Sequence, residues 1–286
     1  MTTVKFGCQL PQETSNVSHI LEVARECESL GYDSVWAYDH LAPFWIRSRS
    51  SLDGWSLLSA VGARTSSIKI GSLVTNVNFR NPSLLAKMTS TVDNISGGRL
   101  IVGLGIGDRM SIDELRSYGY RFPPFGERVT LLHETITILK TLWTGDDASF
   151  EGKVVNLSHA FCEPKPIQPS GPPIWVGGRH RRLLDVTAEL ADGWNHWGVT
   201  AEKVRELEAH LYSKCRDFRR PPGSITQSWA GAISTLQVSS SKAVDDIRQE
   251  LNSQVGKRTS YFIASFPPAA NRKAYEHFAE AVKSFA

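Results

Sequence analysis

Eight short apolar runs alternate with helical patterns along the chain, and this alternation constrains the fold more than any other feature. Each run has the length of a buried strand, and apolar residues at helical spacing follow it. The runs cover residues 4–10, 34–38, 68–77, 100–104, 174–176, 193–196, 228–233 and 260–264. Eight such alternations without a break in composition predict an α/β fold, a closed (β/α)₈ TIM barrel, over an open doubly wound sheet.

The chain has 286 residues, a length at which one barrel uses the whole chain, so we predict a single domain over 1–286. One stretch, residues 144–172, departs from the alternation and carries Pro164, Pro166, Pro169 and Pro172. We interpret it as an insertion that follows the fourth β/α unit and lies over the barrel.

Composition and charge exclude several classes of protein. Lys and Arg number 32 against 29 Asp and Glu, which argues against nucleic acid as a partner and favours a small-molecule substrate. The four cysteines lack C-x-x-C spacing, so neither a zinc site nor a disulfide framework is expected. The N-terminus enters a strand at once, and no apolar run reaches about 18 residues. We therefore predict a cytoplasmic protein that neither crosses a membrane nor carries a signal peptide.

In a barrel of this kind the chemistry lies at the carboxyl ends of the strands, so polar residues and glycines that follow each apolar run are the candidates. They are Asp39 and His40, Thr75 and Asn76, Gly107 and Asp108, Gly177 to Arg179, and Asn195 and His196. No set of His, Asp and Glu has metal-ligand spacing, and no G-x-S-x-G elbow is present. Metal and serine hydrolysis are therefore excluded.

Each candidate also has a plain structural interpretation. Asp39 and His40 are either an acid–base pair or a hydrogen-bonded brace of a loop. Asp108 is either a second acid or a helix N-cap. Gly177, Gly178 and Arg179 end a strand before a helix, which suits a phosphate as well as a simple turn.

Glycines at 103, 105 and 107 do not complete a G-x-G-x-x-G dinucleotide motif, because Asp108 and Met110 occupy the next positions where glycine is needed. They favour either close approach of a flat ring to the backbone or tight packing inside the barrel. The sequence leaves both interpretations open.

Several longer segments resemble the luciferase-like superfamily of flavin and deazaflavin enzymes. The most specific is EPKPIQP at 163–169, continued by PPIWVGG at 172–178; the others are ESLGYDSVW at 28–36, SGGRLIVGLG at 96–105 and ADGWN at 191–195. The resemblance extends over most of the chain and implies the same barrel.

Two coenzymes occur in that superfamily, FMN in oxygen-using monooxygenases and the deazaflavin F420 in hydride-transfer enzymes. The sequence is similar to the F420 branch, which includes methylenetetrahydromethanopterin reductases and F420-dependent alcohol and glucose-6-phosphate dehydrogenases. It shares with that branch AYDH at 37–40 followed by Trp45, Asn81-Pro82 after the third strand, and an acid at Asp108. The branch commonly has glutamate where Asp108 stands, and the G-x-G-W of many monooxygenases is absent.

The resemblance also implies roles for individual residues. A backbone bulge with a non-prolyl cis peptide at Leu73–Val74 is expected behind the coenzyme ring. The residues expected to hold the coenzyme are Asp39, Leu73, Val74, Thr75, Asn76, Gly107, Asp108, Gly177, Gly178 and Arg179. The sugar-phosphate lysines of the glucose-6-phosphate dehydrogenases are not matched, since Trp197, Gly198 and Val199 follow the sixth strand, so that activity is not expected.

These observations predict a coenzyme F420-dependent oxidoreductase that transfers a hydride to or from a small organic substrate. His40, tuned by Asp39, is expected to act as general acid or base, with Asp108 as a second proton-handling group and Trp45 as a wall that excludes water. The alternatives are an FMN-dependent monooxygenase and a non-catalytic flavin-binding barrel. A homodimer or higher homo-oligomer is expected from the superfamily.

Overall fold

The computed structural model describes residues 4–43, 50–233, 243–256, 258–267 and 270–285. Its strands are β1 (Lys5–Gln9), β2 (Ser34–Ala37), β3 (Lys69–Ser72), β4 (Thr75–Asn76), β5 (Leu100–Gly105), β6 (Ala148–Glu151), β7 (Asn156–Ala160), β8 (Ile174–Gly177), β9 (Gly193–His196), β10 (Thr226–Ala232) and β11 (Tyr261–Ser265). The main sheet runs in the order β3-β2-β1-β11-β10-β9-β8-β5-β4, and pairing of β3 with β5 closes it. All of its pairings are parallel, which confirms the predicted TIM barrel.

Helices connect the strands on the outside of the barrel. They are α1 (Val17–Ser29), α2 (Gly54–Arg64), α3 (Pro82–Ser96), α4 (Ser111–Ser117), α5 (Phe125–Thr144), α6 (Arg181–Leu190), α7 (Ala201–Asp217), α8 (Ala243–Gln254) and α9 (Arg272–Lys283). Helix α3 shows why the sequence predicts most of them, because the Asn81 side chain caps it, Pro82 opens it and Gly97 ends it in the left-handed conformation. Helix α4 begins three residues after Asp108, where the sequence suggested a helix start only through the possible N-cap.

The third predicted strand is interrupted. Residues 68–77 form two strands, β3 and β4, that flank a cis peptide between Leu73 and Val74, as the resemblance implied. The Val74 side chain points into the barrel, where a Cβ on Gly105 or Gly177 would lie 2.5 or 2.9 Å from its methyl groups. The glycines at 105 and 177 therefore make room for Val74, and at Gly105 this favours the packing interpretation.

Aromatic rings fill the interior of the barrel below this level. The rings of Trp36 and Trp175 lie 5.0 Å apart, and the ring of Tyr261 lies 5.1 Å from that of Trp175. Ile101 and Ile263 complete this buried cluster. The interior is thus a packed core, and a ligand site has to lie above it, at the strand ends.

Residues 144–172 differ from the predicted irregular insertion over the barrel. They contain an antiparallel hairpin of β6 and β7, whose turn donates three backbone N–H groups to the Glu134 carboxylate of α5. The later part lies against α3 and the start of β5, where Gln168 Nε2 donates to Leu100 O at 2.8 Å. The segment therefore leaves and rejoins the barrel at the end where the strands begin. Whether 1–286 is one domain stays a prediction.

In the described part of the chain, no helix combines the length and apolar character needed to cross a lipid bilayer.

Candidate active site

Asp39 follows β2 at the carboxyl end of the barrel, where it is only 3% exposed. Its carboxylate accepts two hydrogen bonds from the Arg80 guanidinium, at 2.6 and 2.9 Å. Burial raises the pKa of the Asp39 carboxyl, and the hydrogen bonds and charge of Arg80 oppose that rise. Asp39 thus forms its ion pair with Arg80, and its charge also acts on His40; tuning of His40 by Asp39 stays a prediction.

His40 lies next along the chain, and its partner is Glu114 of α4. Nδ1 of His40 lies 2.7 Å from Oε2 of Glu114. The other carboxylate oxygen, Oε1, accepts the backbone N–H groups of Leu41 and Ala42 at 2.5 and 3.1 Å. The neighbouring side chains of Asp39 and His40 therefore have different partners, Arg80 and Glu114.

Asp108 follows β5 and acts as a cap for the turn into α4. Its Oδ1 accepts the N–H groups of Met110 and Ser111 at 2.9 and 3.1 Å. These contacts brace the turn before α4, whose own N-cap is Met110, and the role of Asp108 as a second acid stays a prediction. The peptide before Asp108 is held from α5, because Arg128 Nη1 donates to the carbonyl groups of Ile106 and Gly107 at 2.8 and 2.6 Å.

Asn76 ends β4 beside this loop. Its Oδ1 accepts the N–H of Asn78 at 3.1 Å, whereas its buried Nδ2 has no hydrogen-bond partner among the described residues. Gly107, at φ +67°, passes so close that a Cβ there would lie 2.9 Å from Asn76 Nδ2. A buried amide without a partner costs free energy, so a ligand acceptor at this point would stabilise the site. Thr75 is different, since its Oγ1 accepts from Trp55 Nε1 of α2 at 3.1 Å.

Gly177, Gly178 and Arg179 connect β8 to α6. The N–H of Gly178 donates to Asn195 O at 3.0 Å, so this group is engaged in the barrel and does not face a phosphate. Arg179 is exposed, lies over the ring of Trp197 at 5.4 Å and donates to Gly198 O at 2.9 Å. Just beyond, the His180 side chain caps the N–H of Arg182 at the start of α6, at 3.2 Å.

His196 ends β9 and is only 1% exposed. Neither of its ring nitrogens has a partner in the described part of the chain, and burial lowers its pKa to about 4. The ring is therefore neutral at ordinary pH. Trp45 lies outside the described residues. No group of three or more His, Cys, Asp and Glu side chains among the described residues is placed to hold a metal ion.

Sequence reasoning missed four residues that build this site, namely Gln12, Arg80, Glu114 and Arg128. Gln12 accepts from Tyr38 N and donates to Tyr38 O, at 3.0 and 2.9 Å, and so fixes the end of β2. Glu114 carried a signal, because it stands three residues after Ser111 in the S-x-x-E pattern that precedes many helices. That pattern predicts the α4 helix, but it predicts that the Glu114 side chain bonds the backbone at the start of α4, whereas in the structure it contacts His40.

The model of the luciferase-like monooxygenase family matches residues 1–284 of this chain. An F420-dependent glucose-6-phosphate dehydrogenase of Amycolatopsis mediterranei is 34% identical over 194 residues, which are 67% of this chain and 56% of that protein. This chain thus aligns with little more than half the length of that relative.

Two solved structures share the fold. An F420-dependent secondary alcohol dehydrogenase in complex with an F420-acetone adduct superposes with a TM-score of 0.82 at 18% identity, over 98% of this chain and 99% of that one. A coenzyme F420-dependent tetrahydromethanopterin reductase from Methanopyrus kandleri has a TM-score of 0.80 at 18% identity, over 99% and 100% of the two chains. At this level of identity the likeness shows the barrel.

Proposed function

The chain belongs to the luciferase-like monooxygenase family, and from that premise we propose that it is a coenzyme F420-dependent oxidoreductase that transfers a hydride to or from a small organic substrate. The observation that carries the proposal is the imidazole of His40, held by Glu114 at a strand end. Removal of a hydride from an alcohol requires a group that takes the hydroxyl proton, and a positioned histidine suits that task.

The choice of F420 over FMN is supported by the sequence relative, which is named as an F420-dependent dehydrogenase. The residues at the strand ends fit a ring with polar edges, because Nδ2 of Asn76, beside Gly107, has no hydrogen-bond partner among the described residues. Asn76 would donate to that edge, Val74 would lie behind the ring, and the backbone from Arg179 into α6 would hold the phosphate. When bound, the coenzyme supplies the hydride acceptor or donor.

The protein then has to orient the substrate, exclude water and move one proton. His40 is the group that we assign to the proton, and Asp39 serves the site by fixing Arg80 rather than by contacting His40. Asp108 holds the turn that leads into α4, the helix that carries Glu114. Trp45 stays a predicted wall of the substrate pocket.

The test is a fluorescence titration of the purified protein with oxidised F420 and, in parallel, with FMN. We expect saturable binding of F420 and much weaker binding of FMN. Tight binding of FMN alone would contradict the proposal and favour the oxygen-using monooxygenase, for which oxygen consumption would be measured with a flavin reductase. Binding of either coenzyme without turnover of any substrate would favour the non-catalytic barrel.

Substrates would be sought by following F420 absorbance with secondary alcohols, sugar phosphates and, in the reducing direction, activated alkenes. We expect no turnover of glucose 6-phosphate, because an exposed Trp197 and a glycine follow β9 where a phosphate-binding site would need cationic side chains. Turnover of glucose 6-phosphate would contradict this part of the proposal while supporting F420 as coenzyme.

We also propose a homodimer through the outer face of α3. Leu84 and Ile95 on that face are 54% and 44% exposed, and Phe161 and Ile167 beside it are 72% and 54% exposed. Large apolar side chains grouped in this way are typical of a protein–protein contact. Light scattering after gel filtration tests the homodimer, with Leu84→Glu expected to yield monomers.

The four cysteines are free and buried, which supports the proposed cytoplasmic location.

A further inference from the structure

We infer that Glu114 is the positioning residue of the reaction, because it fixes which nitrogen of His40 exchanges a proton with the substrate. The inference rests on the proposed role of His40 and adds a residue that no sequence motif assigned to the site. Glu114 approaches from α4, a different element from the β2 end that carries His40.

The Glu114 carboxylate is an acceptor in all three of its contacts. Two backbone N–H groups, of Leu41 and Ala42, can only donate, and both use Oε1. Although burial raises the pKa of Glu114, the hydrogen bonds from His40 and from these two groups lower it below its usual value. The carboxylate is therefore ionised at neutral pH and cannot donate to the ring.

An ionised Oε2 at 2.7 Å from Nδ1 requires the hydrogen to be on Nδ1 of His40. The neutral ring then has its lone pair on Nε2, so Nε2 is the atom that takes the proton from a substrate hydroxyl or, once protonated, returns it to a carbonyl oxygen. Glu114 remains ionised throughout and balances the charge of the imidazolium. Asp39 adds a second negative charge nearby, itself paired with Arg80.

Glu114 also fixes the place of the ring. The same carboxylate holds the backbone at Leu41 and Ala42, and the Tyr118 hydroxyl at the end of α4 donates to Leu41 O at 3.2 Å. The rings of Tyr38 and His40 meet edge to face, with centroids 5.5 Å apart. The loop that carries His40 is thus held from α4 on its backbone and on its ring.

The test is the tautomer of His40 in the coenzyme-free protein, read from ¹⁵N chemical shifts of protein labelled in histidine, with His40→Asn to assign the signals. We expect Nδ1 to show the shift of a protonated nitrogen and Nε2 that of an unprotonated one in the neutral ring. A neutral ring protonated on Nε2 would overturn the inference. This measurement needs no coenzyme, so failure of F420 binding and failure of the inference are distinguishable.

Glu114→Gln sharpens the test. Its amide oxygen is needed by the Leu41 and Ala42 N–H groups, so its NH₂ group should face Nδ1 and donate to it. The ring must then hold its hydrogen on Nε2, and the tautomer should be inverted. Asp113→Asn removes an adjacent exposed charge from the same turn and should leave the tautomer unchanged.

An unchanged tautomer in Glu114→Gln would contradict the inference, as would inversion in Asp113→Asn. Circular dichroism establishes that each variant is folded. Should Glu114→Gln not fold, the tautomer of the unmutated protein and that of Asp113→Asn decide between the outcomes.

Discussion

The two ends of strand β5 are built in opposite ways. Where β5 begins, the Arg99 guanidinium donates to Gly62 O, Thr65 O and Ile68 O at 2.7 to 2.9 Å, and Asp93 accepts from the backbone of residues 167 and 168. Where β5 ends, Asn76 Nδ2 is buried without a described partner, beside a glycine in the left-handed conformation.

The same contrast holds for ionisable side chains at neighbouring strands. In the loop before β3, the backbone N–H groups of Ser66, Ser67 and Ile68 donate to Oε1 of Glu28. Burial raises the pKa of the Glu28 carboxyl, but these hydrogen bonds lower it to about 2. At the end of β9, the two ring nitrogens of the buried His196 have no described hydrogen-bond partner. At the strand starts these polar groups are hydrogen-bonded, whereas at the strand ends Asn76 Nδ2 and the His196 ring have no described partner, as expected of a ligand site.

The largest expected effect is at the ligand end. His40→Asn should lower turnover of F420 by about 10²- to 10⁴-fold with the best substrate of the panel, because a positioned acid or base contributes that much. Its thermal midpoint should stay close to that of the unmutated protein, since His40 is partly exposed. A comparable loss of both activity and stability would contradict the assignment of His40 to the reaction rather than to the fold.

Arg99→Met should have the opposite profile. It removes hydrogen bonds to several carbonyl groups and leaves them buried, so the free energy of unfolding should fall by about 3 kcal/mol or more. The affinity of the folded protein for F420 should not change. Urea denaturation and an F420 titration on the same preparation measure the two, and a weakened affinity would show that the two ends are coupled.

His196 should make stability depend on pH. Its pKa falls from 6.5 in the unfolded chain to about 4 in the folded protein because of burial, so between these values the unfolded state binds more protons. The contribution is fully present above pH 6.5 and is lost as pH falls towards 4, by about 3 kcal/mol in total. His196→Phe should flatten this part of the pH profile of the thermal midpoint. An unchanged slope would show that groups other than His196 cause the pH dependence.

The smallest effect is in a matched pair of Asn→Asp variants. Asn76→Asp replaces the Nδ2 donor that has no described partner, and should weaken F420 binding about tenfold, the cost of one hydrogen bond. Asn94→Asp removes a donor that binds Ser90 O and Lys165 O at the strand-start end, and should lower stability while it leaves F420 binding unchanged. If both variants weakened F420 binding equally, the difference proposed between the two ends of the barrel would be contradicted.

Much of the barrel could be predicted because it depends on local patterns. Helix α3 has its cap, its proline and its terminal glycine in the sequence, and its bounds follow from them. The hairpin of β6 and β7 could not be predicted in this way, since its turn is held by Glu134 of α5, a contact between distant parts of the chain.

The site could be predicted only in part for the same reason. The strand-end rule selected Asp39, His40 and Asn76, which the structure places around the barrel mouth, but it could not assign their partners. Arg80 and Glu114 come from other β/α units, 41 and 74 residues away, and no spacing rule joins them. Adjacency in sequence suggested an Asp39–His40 pair, whereas each of the two side chains has its hydrogen-bond partner elsewhere in the chain.

Hydrogen–deuterium exchange of the protein with and without F420 shows which end of the barrel binds the coenzyme. We expect slower exchange at 40–43, 105–110 and 178–183, the loops at the strand ends, and unchanged exchange at 65–69 and 97–101, where the strands begin. Protection confined to the strand-start loops, or protection by FMN and none by F420, would contradict this expectation.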